Sequence, residues 1–403
     1  MKTPNGVKVI EFNCRFGDPE TEVVLPRLAT DIYDIFSAVA DHTPMPAIEW
    51  KKEVTMGFVM ASKGYPGSYD KGYEIDLSSV ISSAPSVISS EAEKSPAPVR
   101  VPLTVTGPLK AGRAEISGKH GSQLISGLLM ALPFAERNSS LIVHEPKSIP
   151  YMFITLEVLK KFGIKVGNEM LGGRDFLESD GDWSLCTEII FKVKGGQKYK
   201  AADIDLEGDW SAAANFLVAG AVFGKAVLKG LDTTSLQADL SVMDILMDAG
   251  ASLSQLDGAK GDITVQRAPL RAFNVDASNC PDLFPIISVL AAFCQGTSRL
   301  AGVGRLANKE SDRAKAILEM LTRMGVKASV EGDEMVIEGQ SLVQRILRGE
   351  LLKGGAYTSH HDHRMVMALK VAELGADGPI EIDDEECVAK SFPAFREAWS
   401  AIR

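Results

Sequence analysis

The run EMLTRMGVKA, residues 319–328, ends an amphipathic helix on Gly325 and begins an alternating strand. Glycine just past a helix accepts the left-handed backbone that closes the last turn, and the alternation after it marks a strand with one buried face. The same mark stands at EVLKKFGIKV (157–166, Gly163) and DILMDAGASL (244–253, Gly250). Three recurrences in one chain predict a repeated unit.

Between these marks lies a second kind of helix, apolar on most sides and opened by a polar turn. It reads HGSQLISGLLMALP (120–133), GDWSAAANFLVAGAVFG (208–224), CPDLFPIISVLAAFCQG (280–296) and DHRMVMALKVAELG (362–375). A helix without a polar face belongs in an interior, so all four copies are expected to be buried. Each precedes a short strand: SLIVHE, KAVLKGL, TSRLAGV or PIEID. The unit is βαβαββ-like and the fold class α/β (α+β), and a unit that cannot cover its own apolar helix must pack on its siblings.

Upstream, residues 79–98 read SVISSAPSVISSEAEKSPAP, a Ser/Pro/Ala-rich linker. Before it, VKVIEFNCRF (7–16) and VTMGFVMAS (54–62) read as strands and PETEVVLPRLATDIYDIFSAVA (19–40) as one amphipathic helix. The expected divisions are therefore 1–78, the linker 79–98, then 99–205 and 206–403.

A chain of 403 residues with 45% hydrophobic and 24% charged residues has room for two or three globular domains. A net charge of -10 argues against a nucleic-acid or anionic-membrane surface, so any cationic patch must be local, which favours a small anionic ligand. Five scattered cysteines, with no Cys-x-x-Cys pair, suit a reducing compartment. With no apolar run long enough for a membrane span and no signal-peptide core at the start, the expected location is the cytoplasm.

Three charged clusters stand out: Lys309-Glu310-Ser311-Asp312-Arg313, His361-Asp362-His363-Arg364 and Lys390-Ser391-Phe392-Pro393. Lys309, Arg313, Arg364 and Lys390 are fixed cations suited to phosphate and carboxylate groups, and Glu310 and Asp282 are possible proton carriers. Taken singly, such clusters also fit helix caps and surface ion pairs. Ser122 with Gln123, Asp209, Asp282 and His363 with Arg364 all fall where the apolar helices begin, and helix N-termini favour anions. Capping explains Asp209 and Ser211 equally well, but suits Gln123 and Arg364 poorly. The His360, His361 and His363 spacing gives poor convergent metal ligation, and Trp210 and the Met-rich helix read as core.

From about Val101 to Arg403 the chain resembles the 5-enolpyruvylshikimate-3-phosphate synthase (3-phosphoshikimate 1-carboxyvinyltransferase) family. The resemblance rests on GSQLISGLLMALP, PKSIPY, EGDWSAAANFL, SLQAD, PDLFP, NKESDR, HDHRMVMAL and CVAKSFP in family order. It implies βαβαββ units of the enolpyruvyl transferase type, with one three-unit globule (206–403) for phosphoenolpyruvate and one remaining unit (99–205) of the globule that binds shikimate 3-phosphate. It also implies a monomer that moves the enolpyruvyl group of phosphoenolpyruvate to the 5-hydroxyl of shikimate 3-phosphate, with no metal or organic cofactor. Ser122, Gln123, Ser148 and Tyr151 would contact shikimate 3-phosphate, with Asp282 and Lys309 at its ring. Asp282 would take the hydroxyl proton, Glu310 would exchange a proton with the methylene carbon, and Arg313, Arg364 and Lys390 would hold phosphoenolpyruvate.

The chain departs from the family in having Gly121-Ser122-Gln123 where two serines usually precede the glutamine. The family's N-terminal third has no counterpart upstream of Val101. Each lost donor typically removes about 10² to 10³ in rate, so weak or no catalysis by an isolated monomer is the expectation. Residues 4–77 resemble the end of the ATP-grasp domain of phosphoribosylamine–glycine ligase and the domain after it. That implies a small α/β fragment with Glu11 and Asn13 as vestigial magnesium ligands, or simply as polar residues of a strand. The competing readings are a non-catalytic rearrangement product that retains partial ligand binding and, with only its tail present, the ligase itself.

Overall fold

In the computed structural model, which describes residues 2–3, 6–7, 20–52, 109–119, 121–179, 182–255, 258, 260–307 and 309–401, Pro26 divides the helix expected over 19–40. Glu20–Val24 runs into a 3-10 turn, Leu25–Arg27, and a separate helix Ile32–Ala40 starts where the Asp31 carboxylate accepts from Tyr33 N at 2.8 Å. Proline has no N–H to donate and crowds the preceding turn, so a periodic pattern overruns the break. The chain divides into two compact units, residues 1–71 and 72–403. The strands expected at 7–16 and 54–62, Glu11, Asn13 and the linker 79–98 lie almost wholly outside the described residues, Val7 excepted.

In the second unit, β1 (Arg113–Ser117), α1 (Gln123–Ala131), β2 (Ser139–His144), α2 (Ile149–Lys161), β3 (Val166–Gly172) and β4 (Cys186–Val193) follow the βαβαββ order. Their sheet runs β1-β2-β4-β3, with β1 and β2 parallel and the other pairs antiparallel. Next come α3 (Trp210–Phe223), β5 (Lys225–Leu228), α4 (Val242–Asp248), β6 (Ser252–Gln255) and β7 (Ile263–Gln266), in a sheet β5-β7-β6. A full unit follows: β8 (Asn274–Asp276), α5 (Phe284–Ala292), β9 (Gly296–Ala301), α6 (Arg313–Arg323), β10 (Lys327–Glu331) and β11 (Glu334–Gly339), ordered β8-β9-β11-β10. Last, β12 (Gly355–Tyr357) and β13 (Ile380–Ile382) form a parallel pair across α7 (His363–Glu373). The mixed α/β repeat is as the sequence implies. Gly163, Gly250 and Gly325 close their helices at φ +81°, +84° and +80°. In that left-handed region a Cβ is strained, which is why glycine stands at each.

The core explains how the unit is held. Helices α3, α5 and α7 pack on one another, and 11 of 14, all 9 and 8 of 11 of their residues are buried. Gly375 lets α7 approach closely: a Cβ there would meet the Phe293 ring at 2.5 Å. The expectation of burial fails for α1, which buries only Ile125, Gly127 and Leu129, while Leu124, Met130 and the nearby Phe134 are exposed. Unlike α3, α5 and α7, it has no sibling helix of its kind against its outer face among the described residues. Buried apolar residues accordingly form two clusters, one within 125–193 and a larger one within 210–399.

Candidate active site

The packing of α3, α5 and α7 draws their N-terminal ends together, and local capping sets where each begins. Asp209 caps α3 by accepting from Ser211 N at 2.9 Å, and Asp362 caps α7 by accepting from Arg364 N at 3.0 Å. A 3-10 turn, Pro281–Leu283, leads into α5 and presents Asp282. Asp312 opens α6 by accepting from Lys315 N at 3.3 Å. Asp209 is thus an N-cap, and the remaining charges around these helix ends form one network.

Asp282 lies at its centre. Its Oδ1 meets Arg313 Nη1 at 2.6 Å and Lys309 Nζ at 3.2 Å, and its Oδ2 meets Arg364 Nη2 at 3.1 Å. Arg313 is completely buried and holds three carboxylates: Asp282, Glu310 Oε2 at 2.5 Å and Asp362 Oδ2 at 2.7 Å. Arg364 Nη1 donates to the Ser211 hydroxyl. Lys390 Nζ donates to the His361 carbonyl at 3.0 Å, beside the start of α7.

Burial opposes a charge on Asp282, but Arg364, Lys309 and Arg313 outweigh it and hold the carboxyl far below the usual carboxylate range. Asp362 is likewise held low, with Arg313 overcoming its burial. Burial also disfavours the charged Arg313, yet Asp362, Asp282 and Glu310 keep it protonated above its ordinary value. Burial and the neighbouring Arg364 lower the His363 pKa, which favours a neutral ring. These are the directions expected when opposite charges are brought within hydrogen-bonding distance in a low-dielectric site.

The first βαβαββ unit contributes from the other side. Ser122 and Ser148 are buried at the starts of α1 and α2, and Gln123 is exposed. Burial raises the pKa of the Tyr151 phenol well above its normal value, and the charges of Asp239 and Asp282 raise it further, so the phenol is a donor. The structure therefore brings Tyr151 into the field of the Asp282 cluster.

Two participants were missed by sequence reasoning. Arg305 donates through Nη1 to the Lys119 carbonyl at 3.0 Å and through Nη2 to Ser148 Oγ at 2.9 Å, tying 206–403 to the first unit. Arg305 ends a 3-10 turn that follows Gly302, which stands at φ +101°, where a Cβ would meet Ser278 backbone at 2.8 Å. Nearness to the Lys309 cluster was the available signal. Asp239, within the quoted SLQAD motif, is a buried carboxylate beside this network. No group of three or more His, Cys, Asp or Glu suited to a metal ion occurs among the described residues. His361 Nδ1 instead meets Asp384 at 2.6 Å and His360 Nε2 meets Glu319 at 3.5 Å. Among the described residues no helix is long and apolar enough to cross a membrane.

Residues 88–399 match the family model described as EPSP synthase (3-phosphoshikimate 1-carboxyvinyltransferase). The 3-phosphoshikimate 1-carboxyvinyltransferase of Brachyspira hyodysenteriae is 39% identical over 302 residues, covering 74% of this chain and 65% of that protein. The Clostridium acetobutylicum protein of the same name is 36% identical, over 75% of this chain and 63% of that one. Of solved structures, EPSP synthase from Acinetobacter baumannii aligns with a TM-score of 0.58 at 27% identity, covering 74% of this chain and 64% of that one. The enolpyruvyl transferase NikO from Streptomyces tendae aligns at 0.53 with 14% identity, over 74% of this chain and 65% of that one, a likeness of fold. The chain thus spans slightly less than two thirds of the length of these relatives.

Proposed function

The chain belongs to the EPSP synthase family, and from that premise we propose that it transfers the enolpyruvyl group of phosphoenolpyruvate to the 5-hydroxyl of shikimate 3-phosphate, with release of phosphate. The observation that carries this reading is the Asp282 cluster: one carboxylate facing Lys309, Arg313 and Arg364, with Glu310 bound to the same Arg313. In this reading residues 99–205 belong to the globule that binds shikimate 3-phosphate, residues 206–403 form the one that binds phosphoenolpyruvate, and the protein works as a cytoplasmic monomer.

The reaction is an addition followed by an elimination. In the first step the 5-oxygen bonds to C2 of phosphoenolpyruvate, Asp282 takes the hydroxyl proton, and Glu310 protonates the methylene carbon. In the second, the methyl group returns a proton as the C2–O bond to phosphate breaks. Fixed cations stabilise the charge that builds on the tetrahedral intermediate. Asp282 is a weak base while its three cations face it. Drawing Lys309 and Arg364 onto the phosphoenolpyruvate anion restores its basicity. Arg313 has all its nitrogens engaged, and Glu310, with a side chain 40% exposed, is the partner able to swing away and open Nη2. Lys390 adds a cation beside α7, while Ser122, Gln123, Ser148 and Tyr151 receive shikimate 3-phosphate.

A second reading, binding without turnover, is favoured by the same engagement of Arg313 and by the partial span of the relatives. Phosphate release from phosphoenolpyruvate and shikimate 3-phosphate separates the two when wild type is compared with Glu310→Gln. Release by wild type that falls at least a hundredfold in the variant supports catalysis. Equal release from both rejects the roles given to the site. Heat of binding without release selects the second reading, and no heat with either substrate rejects both.

A further inference from the structure

Arg305 differs from the other cations of this region in having no carboxylate to face. Lys309, Arg313 and Arg364 share Asp282, whereas Arg305 forms no ion pair among the described residues. Its two contacts are to neutral oxygens: Nη1 donates to the Lys119 carbonyl at 3.0 Å and Nη2 to Ser148 Oγ at 2.9 Å. The side chain is half-buried, and its Nε is inaccessible and without a partner. A partly desolvated guanidinium with no counter-charge leaves a local positive potential unanswered.

The two oxygens that Arg305 holds stand in matching places. Lys119 lies in the turn between β1 and α1, and Ser148 in the one between β2 and α2. The turns are in close contact: a Cβ on Gly118 would meet Pro146 Cα at 2.8 Å. Each turn ends in a buried serine, Ser122 before α1 and Ser148 before α2, and neither hydroxyl caps its own helix. Because β1 and β2 are parallel neighbours, both helices start at the same end of the sheet, and Ser126 Oγ meets Thr155 Oγ1 at 2.8 Å further along them. Ser148 itself stands at φ +56°, a strained left-handed conformation of the kind that clusters at ligand sites.

An arginine can only donate, so Ser148 Oγ is the acceptor in their contact and its single proton points elsewhere. Among the described residues no protein group accepts that proton. The hydroxyl is thus left as a donor beside a cation, an arrangement suited to an oxyanion. We propose that Arg305 is a specificity-determining residue for the phosphate of shikimate 3-phosphate, supplying positive charge and turning the Ser148 proton toward the anion, with Ser122 as the second hydroxyl. The inference rests on the reading of residues 99–205 given above, and makes the phosphomonoester, a near-dianion at neutral pH, the group recognised there. Arg305 belongs to 206–403 and the serines to 99–205, so the phosphate is gripped from both parts of the chain.

The test compares binding of shikimate 3-phosphate with that of shikimate, which lacks the phosphate, by calorimetry on the full chain. Wild type is expected to prefer the phosphorylated compound. Arg305→Met is expected to cut that preference by about tenfold or more, the scale of one charge-assisted hydrogen bond, with the affinity for shikimate unchanged. Arg305→Lys, which keeps the charge but not the fork, is expected to recover part of it. Ser148→Ala is expected to reduce the preference too, and to cost less when Arg305 is already replaced, because the two residues act together. Equal weakening of both ligands in Arg305→Met overturns the proposal, since an arginine that merely straps two turns together gives that result. Ser148→Ala leaves the link from Arg305 to Lys119 in place and decides the matter if the methionine variant does not fold: an unchanged preference overturns the proposal. If wild type binds neither compound, the substrate reading falls, and 31P line broadening of phenyl phosphate, a phosphomonoester without the shikimate ring, decides on Arg305 alone. Broadening relieved by Arg305→Met supports the assignment, and broadening that is absent, or the same in that variant, overturns it.

Discussion

Arg313→Met is the sharpest test of how the charge cluster is built. The Arg313 and Asp362 side chains are both fully buried, and their contact measures 2.7 Å. Methionine fills a comparable volume but leaves Asp362 as a buried anion supported only by Ser311 Oγ at 3.1 Å and its own helix cap. Breaking a buried pair from one side costs about 3–5 kcal/mol, a large share of the 5–15 kcal/mol that holds a typical domain. The cost must depend on pH. In wild type the Asp362 carboxyl is held below its ordinary value, so it stabilises the fold above the unfolded pKa and loses that contribution as pH falls through the folded one. In the variant the unpaired carboxyl is pushed up, so its penalty grows as pH rises. Urea denaturation at pH 5 and pH 7.5 should show a deficit that is wider at pH 7.5, and Arg313→Met with Asp362→Asn should recover most of it. A loss under about 1 kcal/mol, or a deficit equal at both pH values, would refute the claim that this pair is desolvated and mutually dependent.

Asp239→Asn should stabilise the protein by up to about 3 kcal/mol at pH 7.5, because the folded-state pKa is raised from 3.8 to about 6 and the native state therefore loses stability as pH rises through that interval. The gain in melting temperature should vanish near pH 4, and a gain independent of pH would contradict this origin. Asp282→Asn removes the carboxylate that occupies Lys309 and Arg364, so inorganic phosphate should bind several-fold more tightly even as phosphate release from substrates is abolished. Calorimetry showing weaker binding would mean that Asp282 does not compete for these cations. Gly339→Ala places a Cβ 2.0 Å from the Ala291 carbonyl and 2.3 Å from that of Cys294, and such overpacking against backbone should cost about 1–3 kcal/mol or more. An unchanged melting temperature would show that α5 and β11 are not in that close contact.

The repeat was legible because its signals are local. Gly163, Gly250 and Gly325 announce helix ends through backbone conformation, and the strands beside them alternate in step with the pleat. Pro26 was a local signal too, overridden by the amphipathic pattern on either side of it. The exposure of α1 was not legible, because a helix is apolar in sequence whether or not a neighbour covers it. Within the site, the residues could be grouped by charge but their pairing could not be read. Arg313 and Asp362 are 49 positions apart, and Arg305 and Ser148 are 157 apart. Asp239 escaped for a related reason: nothing in SLQAD distinguishes a buried carboxylate from a solvated one.

The network also explains how several like charges are tolerated in one place. Lys309, Arg313 and Arg364 all lie within 3.2 Å of Asp282, so they are close to one another. Two unit charges about 5 Å apart repel by roughly 3 kcal/mol at an effective dielectric near 20, and three such pairs would be a serious burden without compensation. Asp282, Glu310 and Asp362 supply it and fix the cations in direction. The partners differ in how readily they can be exchanged. Arg313 is sealed, whereas Lys309 and Arg364 retain 26% and 17% side-chain exposure. In the proposed reaction an incoming dianion therefore engages Lys309 and Arg364 first, and Asp282 becomes a competent base only after that exchange. The order of events is set by burial, with Arg313 and Asp362 as the fixed foundation and the Asp282 pairs as the exchangeable layer above it.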